Sequence, residues 1–299
     1  MINRLAIIGI GLIGGSLSLA LKQAGQVKQV VGYARNETTR QQALSLGIID
    51  TAAESIEAAV TEADIIVLAV PMGAMASALA EMAPHLTDNM IITDAGSTKA
   101  DVAKAASDIL GNRISQFVPG HPIAGTEKSG PSAAFATLYQ DHKVILTPMK
   151  QTNVSAVETI KMMWQQTGAE VSEMTVEHHD LILAATSHLP HLLSFNLVGL
   201  LAQNDDVGEV LRYAAGGFRD FSRIASSDPV MWRDICLSNH DAILTLLQQY
   251  QQQLTEIEQA IQQQDGDYLM TLFQSAKTAR DTRFEMPKVT NSKSDNNEK

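Results

Sequence analysis

A glycine-rich turn stands near the start of this chain, between a strand-like run and a helix-like one. Leu5 to Ile8 are continuously apolar and stop at Gly9. Gly9-Ile10-Gly11-Leu12-Ile13-Gly14 then matches G-x-G-x-x-G, and Leu12, Ile13, Leu17, Ala20 and Leu21 follow at helical spacing. Glycine turns are common, but strand, turn and helix in direct succession are what the dinucleotide fingerprint requires. Gly9 permits the tight turn, Gly11 lets a pyrophosphate approach the backbone, and Gly14 lets the helix pack close to the strand. The phosphates would meet unpaired N–H groups at the helix N-terminus. The expected cofactor contacts are Gly9, Gly11, Leu12, Ile13 and Gly14, with Ala34 and Arg35 after the second strand and Val70 and Pro71 after the next.

A carboxylate that grips the ribose 2′-hydroxyl belongs about 20 residues beyond the glycines. That position reads Gly32-Tyr33-Ala34-Arg35-Asn36. With no carboxylate to repel a 2′-phosphate and with Arg35 able to pair with one, the expectation is NAD or NADP, leaning to NADP. A solvated loop charge is the plain alternative for Arg35.

The first half alternates short apolar runs with Ala-rich helical stretches. Strands are expected at Leu5–Gly9, Gln29–Tyr33, Asp64–Val70, Met90–Thr93, Gln116–Val118 and Lys143–Thr147. Helices are expected at Thr38–Leu46, Met75–Met82 and Lys99–Leu110. Continuous Val/Ile/Leu runs separated by helices indicate a parallel sheet covered on both faces. The fold class is therefore α/β, a Rossmann-type doubly wound sheet over 1–172. An all-α helical domain is expected over 173–288, with a disordered tail over 289–299. Its elements are one long helix from Glu177 to Gln203 kinked at Pro190, a connection Ala214–Asp228, and a helix opened by Pro229. In the last, Ile243, Leu247, Tyr250, Leu254, Ile257 and Ile261 recur every four and three residues. That seam faces either the chain's own core or a second subunit.

A formal net charge of −11 argues against nucleic acid or an acidic membrane surface as partner. An anionic substrate would need local cations. The single Cys236 excludes an internal disulfide and suits a cytoplasmic location. Leu181 to Asn204 carries no Asp, Glu, Lys or Arg, but His188, Pro190, His191 and Asn196 make burial by protein the better expectation than a membrane.

Two more segments end strands where a cofactor would lie: Thr93–Lys99, and Gly120-His121-Pro122-Ile123-Ala124-Gly125-Thr126-Glu127. A histidine held between Gly120 and Pro122 there is a candidate acid or base. Added to Glu177-His178-His179-Asp180, Ser187-His188-Leu189-Pro190-His191, Gly216–Ala225 and Asp228–Asp234, these segments resemble the prephenate and arogenate dehydrogenases of tyrosine biosynthesis, up to about residue 285.

The resemblance implies a Rossmann domain followed by a helical dimerisation domain, a homodimer, and oxidative decarboxylation of a dicarboxylate cyclohexadienol with hydride transfer to NAD(P). His121 would take the hydroxyl proton, help worth roughly 10²–10⁴-fold. Ser97 would hydrogen-bond nearby, an N-cap role being its alternative. Arg223 would hold the ring carboxylate, against an ordinary salt bridge to Asp220. His191, Thr126, His179 and Trp232 would complete the substrate contacts, and Glu127 and Asp220 would orient Arg223. No metal is expected, since hydride transfer needs none. His178 and His188 are expected in helix packing. With the glycine turn at residue 9 and little chain after the helical half, a monofunctional enzyme is expected.

Two other functions fit the fold. A β-hydroxyacid dehydrogenase usually relies on a lysine in the helical domain, and no Lys or Arg lies between Lys161 and Arg212. A non-catalytic dinucleotide sensor would need the glycines but not His121 and Arg223 together.

Overall fold

The computed structural model describes residues 1–203, 208 and 212–283. The chain forms two compact units, Met1–Leu246 and Leu247–Lys299. The tail expected from 289 lies outside the described residues.

In the first unit, β1 (Ile2–Ile8), β2 (Val27–Tyr33), β3 (Thr51–Ala52), β4 (Ile65–Leu68), β5 (Ile91–Asp94) and β6 (Phe117–Val118) form one parallel sheet in the order β3-β2-β1-β4-β5-β6. Successive side chains of a strand point to opposite faces. Leu5 and Ile7 accordingly enter one apolar cluster and Ala6 and Ile8 another. Helices α1 (Leu12–Gln23), α2 (Glu37–Ser45), α3 (Ile56–Val60), α4 (Met75–Met82) and α5 (Ala100–Leu110) connect these strands. The strand order reverses beside β1, between it and β4, which is where doubly wound sheets bind ligands.

The run at 143–147 does not join this sheet, contrary to expectation. It is β8 (Lys143–Leu146), the centre of a second sheet between β7 (Gly120–Ile123) and β9 (Glu170–Glu173). β7 runs antiparallel to β8, with His121 opposite Ile145, and β9 runs parallel. Pro122 lacks an N–H, and an edge strand such as β7 tolerates that. Helix α6 (Val154–Gln165) follows, burying Ala156, Val157, Ile160, Met163 and Trp164 along one face.

The helical half departs from the sequence reading in three places. The long helix is α7 (Val176–Leu183), a π-helical turn at Ala184–His188, and α8 (Leu189–Ala202). The irregularity therefore precedes Pro190, whose ring would clash with the carbonyl four residues back in a regular helix. The connection Ala214–Asp228 contains α9 (Gly216–Arg223), ending on Arg223. Pro229 does open a helix, α10 (Pro229–Ser238), which Asp228 caps by accepting from the amides of Val230 and Met231. That helix stops at Asn239, and the seam belongs to a separate helix, α11 (His240–Gln263).

Val176–Ala202 is, among the described residues, the one helix long and apolar enough to cross a membrane, and 22% of that apolar stretch is buried. Within α8 only Ser194 is buried. Among the described residues, the chain's own contacts thus cover this helix only in part.

The second unit holds the rest of α11 and α12 (Gly266–Arg283). The Tyr268 hydroxyl donates to Glu256 across the turn at 3.1 Å. Along the seam Ile243 is buried, whereas Leu254 and Ile261 are 47% and 60% exposed. A stripe facing only the chain's own core would not leave its later members in solvent.

Candidate active site

The glycine turn has the geometry its sequence implies. Gly9 has φ +104°, and a Cβ there would lie 2.4 Å from the Ala69 carbonyl oxygen. A Cβ on Gly14 would lie 2.3 Å from the Gly9 carbonyl oxygen, so α1 sits against the strand end. A Cβ on Gly11 would meet nothing within 4 Å. Gly11 precedes α1 with no side-chain cap and no acidic residue in the first turn. Open space beside uncapped N–H groups fits a pyrophosphate. Leu12 is buried and Ile13 half-buried; the Ile13 carbonyl accepts from Tyr139 at 2.6 Å, which anchors the turn.

After β2, Arg40 donates to the carbonyls of Ala34 at 2.6 Å and Arg35 at 3.2 Å. The Arg35 side chain is exposed. Val70 and Pro71 leave the end of β4, half-buried and exposed respectively. Sequence reasoning passed over Arg40, a second cation beside Arg35.

His121 lies in β7, 9% exposed, with its Nδ1 2.8 Å from His179 Nε2. Burial, then the neighbouring His179, Lys99 and His188, hold its pKa well below 6.5, so the ring is neutral at physiological pH. His179, expected among the substrate contacts, is fully buried with both ring nitrogens engaged, its Nδ1 lying 2.8 Å from Asp180 Oδ1. It therefore stands behind His121. Asp180 also accepts the amides of Lys99 and Ala100, both at 2.9 Å. Burial alone would raise this carboxyl, but His179 and the two amides outweigh it and keep the pKa below the usual range.

The backbone on the other side of His121 is clamped as well. Asp94 and Lys99 form a fully buried ion pair. Asp94 Oδ1 accepts the Gly120 amide at 3.1 Å, and Lys99 Nζ donates to the Gly120 carbonyl at 2.7 Å. Burial pushes the lysine pKa down, and Asp94 opposes that shift. Asp94, Lys99 and Asp180 were not singled out from sequence. The available signal was a lysine and a carboxylate flanking Gly96, and an acidic residue beside a histidine on an apolar helix face.

Ser97 is half-buried in the β5–α5 loop and does not cap α5; Asp180 does that from α7. Arg223 pairs with Glu127 rather than with Asp220, which is exposed and forms no ion pair among the described residues. Thr126 is exposed and accepts the Lys128 amide at 3.2 Å. His191 donates from Nδ1 to the Ser187 carbonyl at 2.8 Å and stacks on Trp232 with centroids 3.8 Å apart. The Trp232 indole N–H is buried with no hydrogen-bond partner among the described residues. His188 is buried edge-on to Trp232 and bonded to Asn239 at 3.1 Å, as a packing residue would be. His178 is exposed, contrary to its expected packing role, because the buried face of α7 carries His179, Asp180 and Leu183. Two further bonds join the halves of this unit: Thr98 with Ser238 at 2.7 Å, and the Gly73 amide with Asp234 at 3.2 Å.

Comparison with known proteins gives a consistent picture. A family model for the prephenate dehydrogenase nucleotide-binding domain matches residues 17–173, and one for the prephenate dehydrogenase dimerization domain matches 175–275. The cyclohexadienyl dehydrogenase of Zymomonas mobilis is 42% identical over 93% of this chain and 95% of its own length. The prephenate dehydrogenase of Bacillus subtilis is 38% identical over 94% of this chain and 76% of its own. Among solved structures, Aquifex aeolicus prephenate dehydrogenase in complex with hydroxyphenyl propionate and NAD+ superposes with a TM-score of 0.86 at 34% identity, covering 94% of this chain and 98% of that one. Synechocystis arogenate dehydrogenase gives 0.78 at 29% identity, covering 94% and 99%.

Proposed function

The chain belongs to the prephenate dehydrogenase family, and we propose that it oxidatively decarboxylates prephenate, arogenate or both, as a step of tyrosine biosynthesis. That membership sets aside the β-hydroxyacid dehydrogenase and the non-catalytic sensor. The observation that carries the reading is a neutral, nearly buried histidine, His121, in the strand that follows the dinucleotide-binding sheet.

The turn at Gly9, Gly11 and Gly14, with Leu12, Ile13, Val70 and Pro71, would hold NAD(P). When bound, the nicotinamide supplies the hydride acceptor. His121 takes the proton of the ring hydroxyl as that carbon becomes carbonyl-like, which a neutral imidazole is able to do. Ser97 hydrogen-bonds the same hydroxyl. Arg223 holds the ring carboxylate until it departs as carbon dioxide; its planar fork suits that job. Glu127 supports this role, because it pairs a carboxylate with the Arg223 guanidinium, the kind of group the substrate ring would present. Burial lowers the His191 pKa, and the stacked Trp232 holds its ring; together they face the substrate side chain. Thr126 lines the nicotinamide end.

Arg35, exposed, and Arg40 beside it support acceptance of the 2′-phosphate of NADP as well as NAD. The exposed Leu254, Ile261, Met270 and Phe273 support a homodimer built through the helical domain. The single cysteine supports a cytoplasmic location.

The test is direct. Protein is mixed with prephenate or arogenate and with NAD or NADP, and reduced nicotinamide is followed by absorbance. Formation of reduced cofactor with at least one pair is expected, and silence in all four mixtures would refute the assignment.

A further inference from the structure

We propose that a hydrogen-bonded circuit through Asp180 and His179 fixes His121 in the tautomer that carries its lone pair on Nε2, making His179 and Asp180 positioning residues for the base. Ionised Asp180 only accepts, and its oxygens already take the amides of Lys99 and Ala100. The nitrogen facing it, His179 Nδ1, must therefore donate. A neutral imidazole has one N–H, so His179 Nε2 accepts. His121 Nδ1, 2.8 Å away, must then donate, and its single proton is spent there. His121 Nε2 is left bare, with no hydrogen-bond partner among the described residues.

The opposite polarity would need His179 doubly protonated. The groups around it disfavour that. Burial lowers the His179 pKa, and the Lys99 ammonium lowers it further against the pull of Asp180 and Asp94. On the π turn, His188 is neutral down to about pH 4. The circuit closes because Lys99 serves both ends. Its amide binds Asp180, while its ammonium binds Asp94 and the carbonyl of Gly120, the residue before His121. Ring and backbone of His121 are thus held by one connected network.

The tautomer matters because a base must offer a lone pair to the hydroxyl proton. The other tautomer would present an N–H and could only donate. Once His121 has taken the proton at Nε2, its Nδ1–H bond to His179 stays in place and the nearby Asp180 charge stabilises the imidazolium. The inference rests on the proposed reaction for its purpose, but the tautomer is a ground-state property readable without turnover.

The test is ¹⁵N NMR of the full-length protein labelled at histidine nitrogens, with His121 assigned by the loss of its signals in His121→Asn. At neutral pH the wild type should show His121 protonated at Nδ1 and bare at Nε2. His179→Phe keeps a ring but removes the acceptor. It should populate the Nε2–H form and lower kcat about 10²-fold with the dinucleotide KM unchanged. His179→Gln offers an acceptor to His121 and a donor to Asp180, and should recover kcat to within about tenfold of wild type. A packing role alone would rank the variants the other way, Phe above Gln. A wild-type His121 protonated at Nε2, or a Phe variant with wild-type tautomer and kcat, would overturn the proposal. The Nδ1–H tautomer in an enzyme inert towards both substrates would sink the proposed reaction and leave the circuit standing.

Discussion

The carboxylate of Asp180 caps helix α5 from 81 residues away, its Oδ1 accepting the amide of Lys99 at 2.9 Å. Asp180 is 5% exposed and also accepts the hydrogen bond from His179 Nδ1. One side chain thus ends a Rossmann helix, docks the first helix of the all-α half, and sets the polarity of the histidine pair. Asp180→Ala should remove the cap and leave a buried N–H unpaired, a loss of about 2–4 kcal/mol. Denaturant unfolding measures it, and a change below about 1 kcal/mol would contradict the assigned role.

Acid should weaken both folding and catalysis. His121, His179, His188 and His191 all sit below the ordinary histidine pKa, burial being the leading cause in each. Their folded pKa values are depressed, so the unfolded chain binds protons first as pH falls. Stability is complete above 6.5 and is lost on the way down to the folded values. For His188, shifted from 6.5 to about 4, this amounts to about 3 kcal/mol at the acid end. The Tm should fall steadily across that window, and a flat Tm would contradict the burial argument. The acid limb of kcat/KM should likewise lie below 6.5, since turnover needs neutral His121. A midpoint at or above 6.5 would contradict it.

Much of this was legible in the sequence. The central strands carry short apolar runs, Leu5–Ile8 in β1, Val30–Val31 in β2 and Ile65–Leu68 in β4, and burial on both faces is what such runs demand, whereas the two-residue β3 carried no such signal. The second sheet was hidden because β7 reads Gly-His-Pro-Ile, a turn-like composition, and β9 reads Glu-Val-Ser-Glu, too polar for a core strand. Both are edge strands, where Pro and charge are tolerated. Of the site, His121 and Arg223 stood out through motif context. Asp94, Lys99 and Asp180 did not, because their partners lie 5, 21 or about 80 residues away and only the fold brings them together.

Arg223→Gln should act on binding. A charged hydrogen bond to a carboxylate contributes about 1.5–3 kcal/mol, so the substrate KM should rise roughly 10–100-fold with a smaller change in kcat. The guanidinium is 63% exposed in its pair with Glu127, so folding stability should move by less than about 1 kcal/mol. Steady-state kinetics decide the matter, and an unchanged KM would refute the role.

Arg35→Gln should discriminate between cofactors. The side chain is exposed, so its contribution to a 2′-phosphate is about 1 kcal/mol, roughly a fivefold rise in KM for NADP. The KM for NAD should hardly change. Equal KM shifts for the two cofactors would remove Arg35 from the ribose site.

Catalysis in this chain rests on His121 as the base beside the bound dinucleotide. Single-turnover kinetics of His121→Asn, paired with a dinucleotide titration by fluorescence, test it most directly. The hydride-transfer rate should fall by roughly 10²–10⁴-fold while the dinucleotide Kd stays within about twofold, below 0.5 kcal/mol. A variant that transfers hydride at the wild-type rate would contradict the claim.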